Sequence, residues 1–240
     1  MKPVLSKTGY QKGLQCKKAL YLYKYHSKLR DPISPERLAR FNSGHEIGFL
    51  ARKLFPGGID LNAGKVNRPV IDHKDTLRAI AEGYNVLYEP AFIYQGVIVY
   101  NDILVRRPNG WDLYEVKSNQ RIPDHYVSDL ALQAYIVEGN QLPLLSCSII
   151  HLRKPLSEIS EQEIADEIFT ITDYTDACKN AYPAIKENIQ NMQYLLTTRR
   201  VPEIATGDHC HRPYPFEFFG YCSRPVKHAD TGLFTNLNQP

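Results

Sequence analysis

The chain has 240 residues, 43% of them hydrophobic, with 29 Lys and Arg against 26 Asp and Glu for a formal charge of +3, and five cysteines. That size and apolar content require a buried core, in one large α/β domain or a domain with an appendage, and the small positive charge neither requires nor excludes a nucleic-acid partner. No stretch approaches a membrane span, the lysine-rich start lacks the apolar region of a signal peptide, and an odd number of irregularly spaced cysteines argues for a reducing, cytoplasmic setting with metal-binding or buried thiols.

Leu5 to Lys24 opens with Ser6 as the cap of a short helix, and Leu14, Leu20 and Leu22 supply apolar contacts. Cys16 sits among lysines, either as a half-buried thiol beside a basic face or as a metal or cluster ligand whose thiolate the lysines favour. A helix is predicted from Ser34 to Phe55, with Ser34 as N-cap, Pro35 at N1 and Glu36 at the positive end of the dipole. Leu38, Phe41, His45, Phe49 and Arg52 form its stripe, and Pro56-Gly57-Gly58 ends it. His45 and Glu46 lie between Gly44 and Gly48, where small residues allow close approach, and are either solvated helix residues or site residues. Gly64 to Pro69 reads as loop, with a short strand near Val70. Asp72 caps a helix from about His73 to Glu82 that Gly83 closes. Asn85 to Tyr94 reads as strand interrupted at Pro90, with Glu89 either reaching a site or standing on a sheet edge, and Gln95-Gly96 turns the chain.

Val97 to Lys117 reads as two strands, Val97–Val105 and Leu113–Lys117, joined by Pro108-Asn109-Gly110, where Asn and Gly tolerate left-handed geometry. A turn centred near Asn109 pairs residues whose numbers sum to roughly 218, which sets Asp102 opposite Glu115 or Val116. Glu115 and Lys117 share one face. Two carboxylates and a lysine then converge, a set in which the oxygens suit a hard divalent cation and the ammonium polarises a water or stabilises negative charge.

Pro123 and Asp124 open a helix to about Glu138, with Gly139 as its C′ residue and Tyr126, Asp129, Leu130, Gln133 and Val137 along one face. Gln133 suits a phosphate or a metal-bound water if this helix packs near Lys117, and is otherwise a polar residue at the helix edge. Leu144 to Leu152 is a strand with Cys147 in the core. Ser160 to Glu163 has capping-box spacing, and a helix from about Tyr174 to Thr197 carries Cys178 and a kink at Pro183. Lys186, Arg199 and Arg200 form a basic rim or a solvated face. Thr206 to Cys222 is rich in aromatics, His and Pro; Cys210 and Cys222 bracket it beside His209 and His211, and either a metal or cluster or the aromatic side chains alone tie it down. The chain after Arg224 reads as a loose tail.

Asp102 followed by Glu115-Val116-Lys117 resembles the PD-(D/E)xK nuclease motif, and Gln133-x-Tyr135 resembles the Q-x-x-x-Y-type helix motif of RecB-like nucleases at tighter spacing. Gly44-His45-Glu46 with Leu50-Ala51-Arg52 resembles their N-terminal active-site helix. That helix carries its His or Glu four residues after the glycine, where this sequence has Gly48, so His45 or Glu46 would substitute. LSKTGYQKGLQCKKALYL and HCHRPYPFEFFGYC resemble the two halves of an iron–sulfur clasp, as in AddB C-terminal domains and CRISPR-associated exonucleases. The resemblance covers roughly Leu5 to Cys222.

The resemblance implies an α/β, restriction-endonuclease-like domain over residues 1–240, with a core of about 30–200, a small mixed sheet flanked by helices, and terminal segments 5–24 and 203–224 meeting as a clasp. It implies a metal-dependent nuclease, of exonuclease type, hydrolysing DNA phosphodiester bonds. Asp102, Glu115 and the Val116 carbonyl would hold Mg²⁺ or Mn²⁺, Lys117 would orient or deprotonate a water, Gln133 and Tyr135 would position the phosphate or the lysine, and DNA ends or single strands would be the partners. Cys16, Cys210 and Cys222 match ligand positions of a [4Fe–4S] cluster and the fourth falls on Phe216; a His, a carboxylate or an outside ligand would complete it, or aromatic packing would hold the clasp with no cluster. Gly48 and Phe216 favour a rival reading, a non-catalytic DNA-binding or assembly module. A cysteine-based metal or redox sensor, in which Asp102 is dispensable, is a third, and an RNA nuclease would use the same chemistry.

Overall fold

The computed structural model describes residues 4–33, 35–63, 73–160 and 162–224, and the backbone alone at 36–43. The chain divides into two compact units, Pro35–Lys186 and the flanking segments Met1–Ser34 with Glu187–Pro240. Among the described residues no helix is long and apolar enough to cross a membrane.

In the flanking unit, β1 (Leu5–Ser6) leads into α1 (Lys7–Gln15) and α2 (Lys17–Tyr25). The Ser6 hydroxyl accepts the Gly9 N–H at 3.0 Å, the expected cap. Cys16 divides the run into two helices with an extended backbone, φ −161° and ψ 122°. Its N–H closes α1 on the Lys12 carbonyl at 2.8 Å, and its carbonyl accepts the Leu20 N–H at 3.1 Å to start α2.

The other unit starts with α3 (Pro35–Ala51), continued by a 3₁₀ turn over Arg52–Leu54. β2 (Ile59–Asp60) and α4 (His73–Ala81) follow, the latter closed by Gly83 at φ +90°. Then come β3 (Val86–Tyr88), β4 (Ala91–Tyr94), β5 (Val97–Tyr100), β6 (Ile103–Arg107) and β7 (Gly110–Lys117). α5 (Asp124–Glu138), β8 (Leu144–Leu152), α6 (Ala165–Ile168) and β9 (Phe169–Asp173) complete it. α7 (Thr175–Thr197), which accommodates Pro183, passes from this unit into the flanking one, where α8 (Phe219–Cys222) is the last helix described.

The architecture is mixed α/β. Six strands form one sheet in the order β2-β3-β6-β7-β8-β9, parallel at β2/β3 and β7/β8 and antiparallel elsewhere. β7 is central and buried on both faces, with α5 as the crossover to its parallel neighbour β8. On one face Ile47 and Ala51 of α3 and Ala165 and Ile168 of α6 pack against Tyr88, Ile103, Val105, Tyr114, Ile150 and Leu152. Leu104, Leu113 and Ile149 alternate with these and are fully buried from the opposite face. Each such Leu or Ile contributes roughly 1.5–3 kcal/mol.

Several expectations need correcting. Val97–Val105 is two strands rather than one: β5 pairs with β4 in a smaller sheet and β6 joins the large one, so the chain changes sheets at Asn101-Asp102. The described part of α3 turns Ile47 and Ala51 inward, whereas Phe49 is 61% exposed and His45 lies at the surface, so these two members of the predicted stripe face outward. Left-handed φ values occur at Gln95 and Gly96 in the β4–β5 turn, and Gly110 serves a different need. A Cβ on Gly110 would stand 2.6 Å from the Pro143 carbonyl oxygen, so this glycine gives room for β8 to approach. Gly139 ends α5 in a right-handed conformation, against the Tyr94 ring. Glu163 does accept the Ser160 N–H, at 2.8 Å, but α6 begins only at Ala165. The Ser34 cap, the loop, strand and cap expected over 64–72, and the tail 225–240 lie outside the described residues.

Candidate active site

Two strand ends and one helix face build the site. β6 and β7 pair Ile103 with Tyr114, so the next position back sets Asp102 across from Glu115. Asp102 lies in the break before β6, and its Oδ2 accepts the Val116 N–H at 2.6 Å, which holds the carboxylate against the end of β7. Glu115 and Lys117, two residues apart, emerge on the face that α5 covers. Glu115 is 3% exposed. Its Oε1 accepts from the Lys117 Nζ at 2.6 Å, and its Oε2 from the Gln133 Nε2 at 2.7 Å.

α5 supplies the rest. Asp129 and Gln133 are one turn apart on its sheet-facing side. Asp129 Oδ2 takes a second bond from Lys117 at 3.0 Å, and the Lys117 ammonium also lies 4.7 Å from the centre of the Tyr126 ring. Gln133 is fully buried and accepts, through Oε1, from the Asn101 Nδ2 at 2.9 Å. A continuous chain therefore runs Asn101–Gln133–Glu115–Lys117–Asp129.

Burial acts to lower the Lys117 pKa, but the Glu115 and Asp129 charges, the Glu115 hydrogen bond and the Asp102 charge outweigh it, and the ammonium is held well above the ordinary lysine value. Glu89 stands at the border of the cluster on a left-handed backbone, φ 56°. Its N–H donates to the Asp102 carbonyl at 3.0 Å, and its Oε1 meets Arg52 Nη2 at 3.4 Å while Arg52 Nη1 binds Asp60 at 2.6 Å. Burial raises the Glu89 pKa; Arg52 opposes this, and the Asp60 and Glu115 charges add to it.

Of the expected site residues, Asp102, Glu115, Val116, Lys117 and Gln133 come together. Tyr135 does not join them. It points away from Gln133 on the helix, its hydroxyl donates to Gln95 Oε1 at 3.1 Å, and its ring packs edge-on to Tyr94 and Tyr182. His45 and Glu46 are exposed on α3, outside the hydrogen-bonded chain. A Cβ at Gly48 would meet nothing within 4 Å. Sequence reasoning passes over Asp129 and Asn101 as site residues. Asp129 is signalled by its place four residues before Gln133, and Asn101 by being a polar residue in an apolar run next to Asp102.

Among the described residues no group of three or more His, Cys, Asp or Glu is gathered to hold a metal ion. The pair Asp102 and Glu115 with the Val116 carbonyl is nevertheless an all-oxygen set of the kind Mg²⁺ uses, since that ion takes one or two carboxylates and completes its shell with water and substrate phosphate.

In the flanking unit, Cys16, Cys210 and Phe216 are buried in one apolar cluster with Ala19, Leu22 and Phe218, and Cys222 packs against it. Burial raises the Cys222 pKa, Lys18 opposes this, and Cys16 and Cys210 add to it. Cys210 Sγ lies 3.6 Å from His209 Nε2. Gln15 Nε2 donates to the His209 and Tyr214 carbonyls, both at 2.8 Å, and the Asp31 N–H donates to the Glu217 carbonyl at 2.7 Å, so the N- and C-terminal segments meet. Phe216 offers no ligand atom, so the residues of this cluster do not make up a four-cysteine set. Cys147 and Cys178 are buried in the other unit.

No protein-family model matches the chain, and no curated protein matches it.

Proposed function

We propose that this chain is a divalent-metal-dependent nuclease of the PD-(D/E)xK, RecB-like type, on a restriction-endonuclease-like core, that hydrolyses DNA phosphodiester bonds. The observation that carries the reading is the cluster of buried Glu115 with half-buried Asp102 and Lys117 at the paired ends of β6 and β7. Asp102, Glu115 and the Val116 carbonyl would hold Mg²⁺ or Mn²⁺, which when bound supplies a water of lowered pKa and neutralises charge on the phosphate. Gln133 donates to Glu115 and fixes its plane, and Asp102 is fixed by the Val116 N–H. The Lys117 ammonium, bonded to Glu115 and Asp129, offers a positive charge to a phosphate oxygen in the transition state. DNA ends or single strands are the substrate the clasp resemblance favours.

The test is cleavage of end-labelled single- and double-stranded DNA in Mn²⁺, Mg²⁺ or EDTA, comparing wild type with Lys117→Ala and Lys117→Arg after their folding has been checked by circular dichroism. The expected result is cleavage by wild type that needs the metal and is lost in Lys117→Ala. A second reading, a non-catalytic DNA-binding module, is favoured by the exposure of His45 and Glu46 and the absence of a side chain at Gly48. DNA binding without cleavage under every condition would select it.

A further inference from the structure

Asn101 is a fully buried polar residue at the point where the chain changes sheets. Its backbone N–H is satisfied by the Pro90 carbonyl at 3.0 Å, and its Nδ2 donates to Gln133 Oε1 at 2.9 Å. Its Oδ1 is buried and has no hydrogen-bond partner among the described residues. A buried acceptor left unpaired keeps its full desolvation cost, so a leucine or threonine of similar size would be the cheaper filling. The bond that Asn101 does make is informative. A glutamine amide presents an acceptor on one side and a donor on the other, and the two are interchanged by a half-turn. Gln133 lies between Asn101 and Glu115, with both faces of its amide engaged. Nε2 is turned toward two acceptors, the Glu115 carboxylate at 2.7 Å and the Asp129 carbonyl at 3.4 Å, and a donor at Asn101 completes the amide by holding Oε1.

We infer that Asn101 is a positioning residue for the carboxylate of Glu115: it acts through Gln133, holding Oε1 so that the amide stays seated with Nε2 on Glu115 Oε2. The assignment rests on the nuclease reading for its purpose and on the hydrogen-bond chain for its geometry. The same strand break that delivers Asp102 thus delivers, one residue earlier, the group that orders the opposing carboxylate.

The isosteric Asn101→Asp removes the donor and sets an acceptor against Gln133 Oε1; turning the amide would only move that clash onto the Glu115 carboxylate and the Asp129 carbonyl, so Gln133 shifts off its seat instead. The first measurement is the side-chain ¹⁵N–¹H₂ pair of Gln133 in the metal-free protein. In wild type it is expected as two well-separated, slowly exchanging signals, because the amide bonds a carboxylate; in Asn101→Asp the pair shifts and broadens. Asn101→Ala provides the same comparison should the Asp variant fail to fold. The second measurement is a double-mutant cycle on Mn²⁺ binding. Asn101→Ala and Gln133→Ala are each expected to weaken binding about tenfold, the low end for residues that support metal ligands, and the double variant to be no weaker than Gln133→Ala alone. Unchanged Gln133 signals in a folded Asn101 variant, or losses that multiply in the double variant, overturn the inference. A wild type that neither binds Mn²⁺ nor cuts DNA sinks the nuclease reading instead, and the Gln133 signals still decide whether Asn101 sets the amide.

Discussion

Lys117 concentrates the energetics of the site. One ammonium balances two largely buried carboxylates, Glu115 and Asp129, at 2.6 and 3.0 Å. Removing one partner of a buried ion pair leaves an uncompensated charge, so Lys117→Ala is expected to cost about 3–5 kcal/mol in urea unfolding. Lys117→Arg is expected to recover most of that without restoring cleavage, because a planar guanidinium cannot occupy the same point. The pH dependence follows from the raised pKa. A raised lysine contributes fully below its ordinary value of 10.5 and loses that contribution only as pH rises through the higher folded value, so the charge is constant across neutral pH. In Glu89 the neutral form, not the charged one, is favoured. Its pKa is raised from 4.5, so its ionisation destabilises the fold progressively as pH rises from that value through the folded one. Glu89→Gln is therefore expected to gain stability relative to wild type as pH rises from 4.5 towards neutrality, read from urea midpoints at successive pH values; a difference that stays flat across that range would refute the assignment.

At the scale of elements, glycines separate positions that need room from those that do not. Gly44 and Gly48 lie in α3 with nothing within 4 Å of an added Cβ, so Gly→Ala at either is expected to stabilise by about 0.5–1 kcal/mol. Gly110→Ala would drive a methyl into the Pro143 carbonyl and disturb the Trp111 N–H bond to it, at 2.9 Å; a loss of about 1–3 kcal/mol is expected in the same unfolding assay. These elements also show what is legible in the sequence. The β6–β7 register can be read within a residue, because a short turn fixes which positions face each other. α4, α5 and β8 can be read from their punctuation and periodicity. The sheet change at Asn101-Asp102 cannot, because the run from Val97 to Val105 is β-branched and aromatic on both sides of it, and only tertiary pairing separates the two halves. The inward face of α3 is misleading because its glycines blur the apolar period, and Tyr135 because two helical residues apart is about 200° around the axis.

At the scale of the molecule, the terminal segments of the flanking unit are joined by polar bonds as well as by an apolar cluster. Glu217 receives both Lys12, at 2.9 Å, and Arg30, at 3.2 Å, while Asp31 accepts the Gly220 N–H at 3.0 Å. Gln15 serves two carbonyls from the far end of the chain. Gln15→Ala is expected to raise hydrogen exchange over residues 207–222 by about tenfold, one neutral hydrogen bond's worth of local stability, while leaving exchange in β6 and β7 unchanged. Equal acceleration in both units would mean that they open together. The meeting of the ends is expected from the clasp resemblance alone, and the bonds that join them run largely through backbone carbonyls, which carry no sequence signal.

The hairpin of β4 and β5 leaves the large sheet and returns to it at neighbouring points. Tyr88 and Ile103 are paired, the Glu89 N–H bonds the Asp102 carbonyl, and the Asn101 N–H bonds the Pro90 carbonyl. The two ends of this excursion are therefore stitched together independently of what lies at its far tip, Gln95-Gly96. Residues added at the tip would lengthen the loop without shifting the stitched base. The same protein can in this way gain or lose residues at Gln95-Gly96 while the positions of Glu89, Asn101 and Asp102 stay as they are, so loop length and the placing of these side chains are free to vary separately.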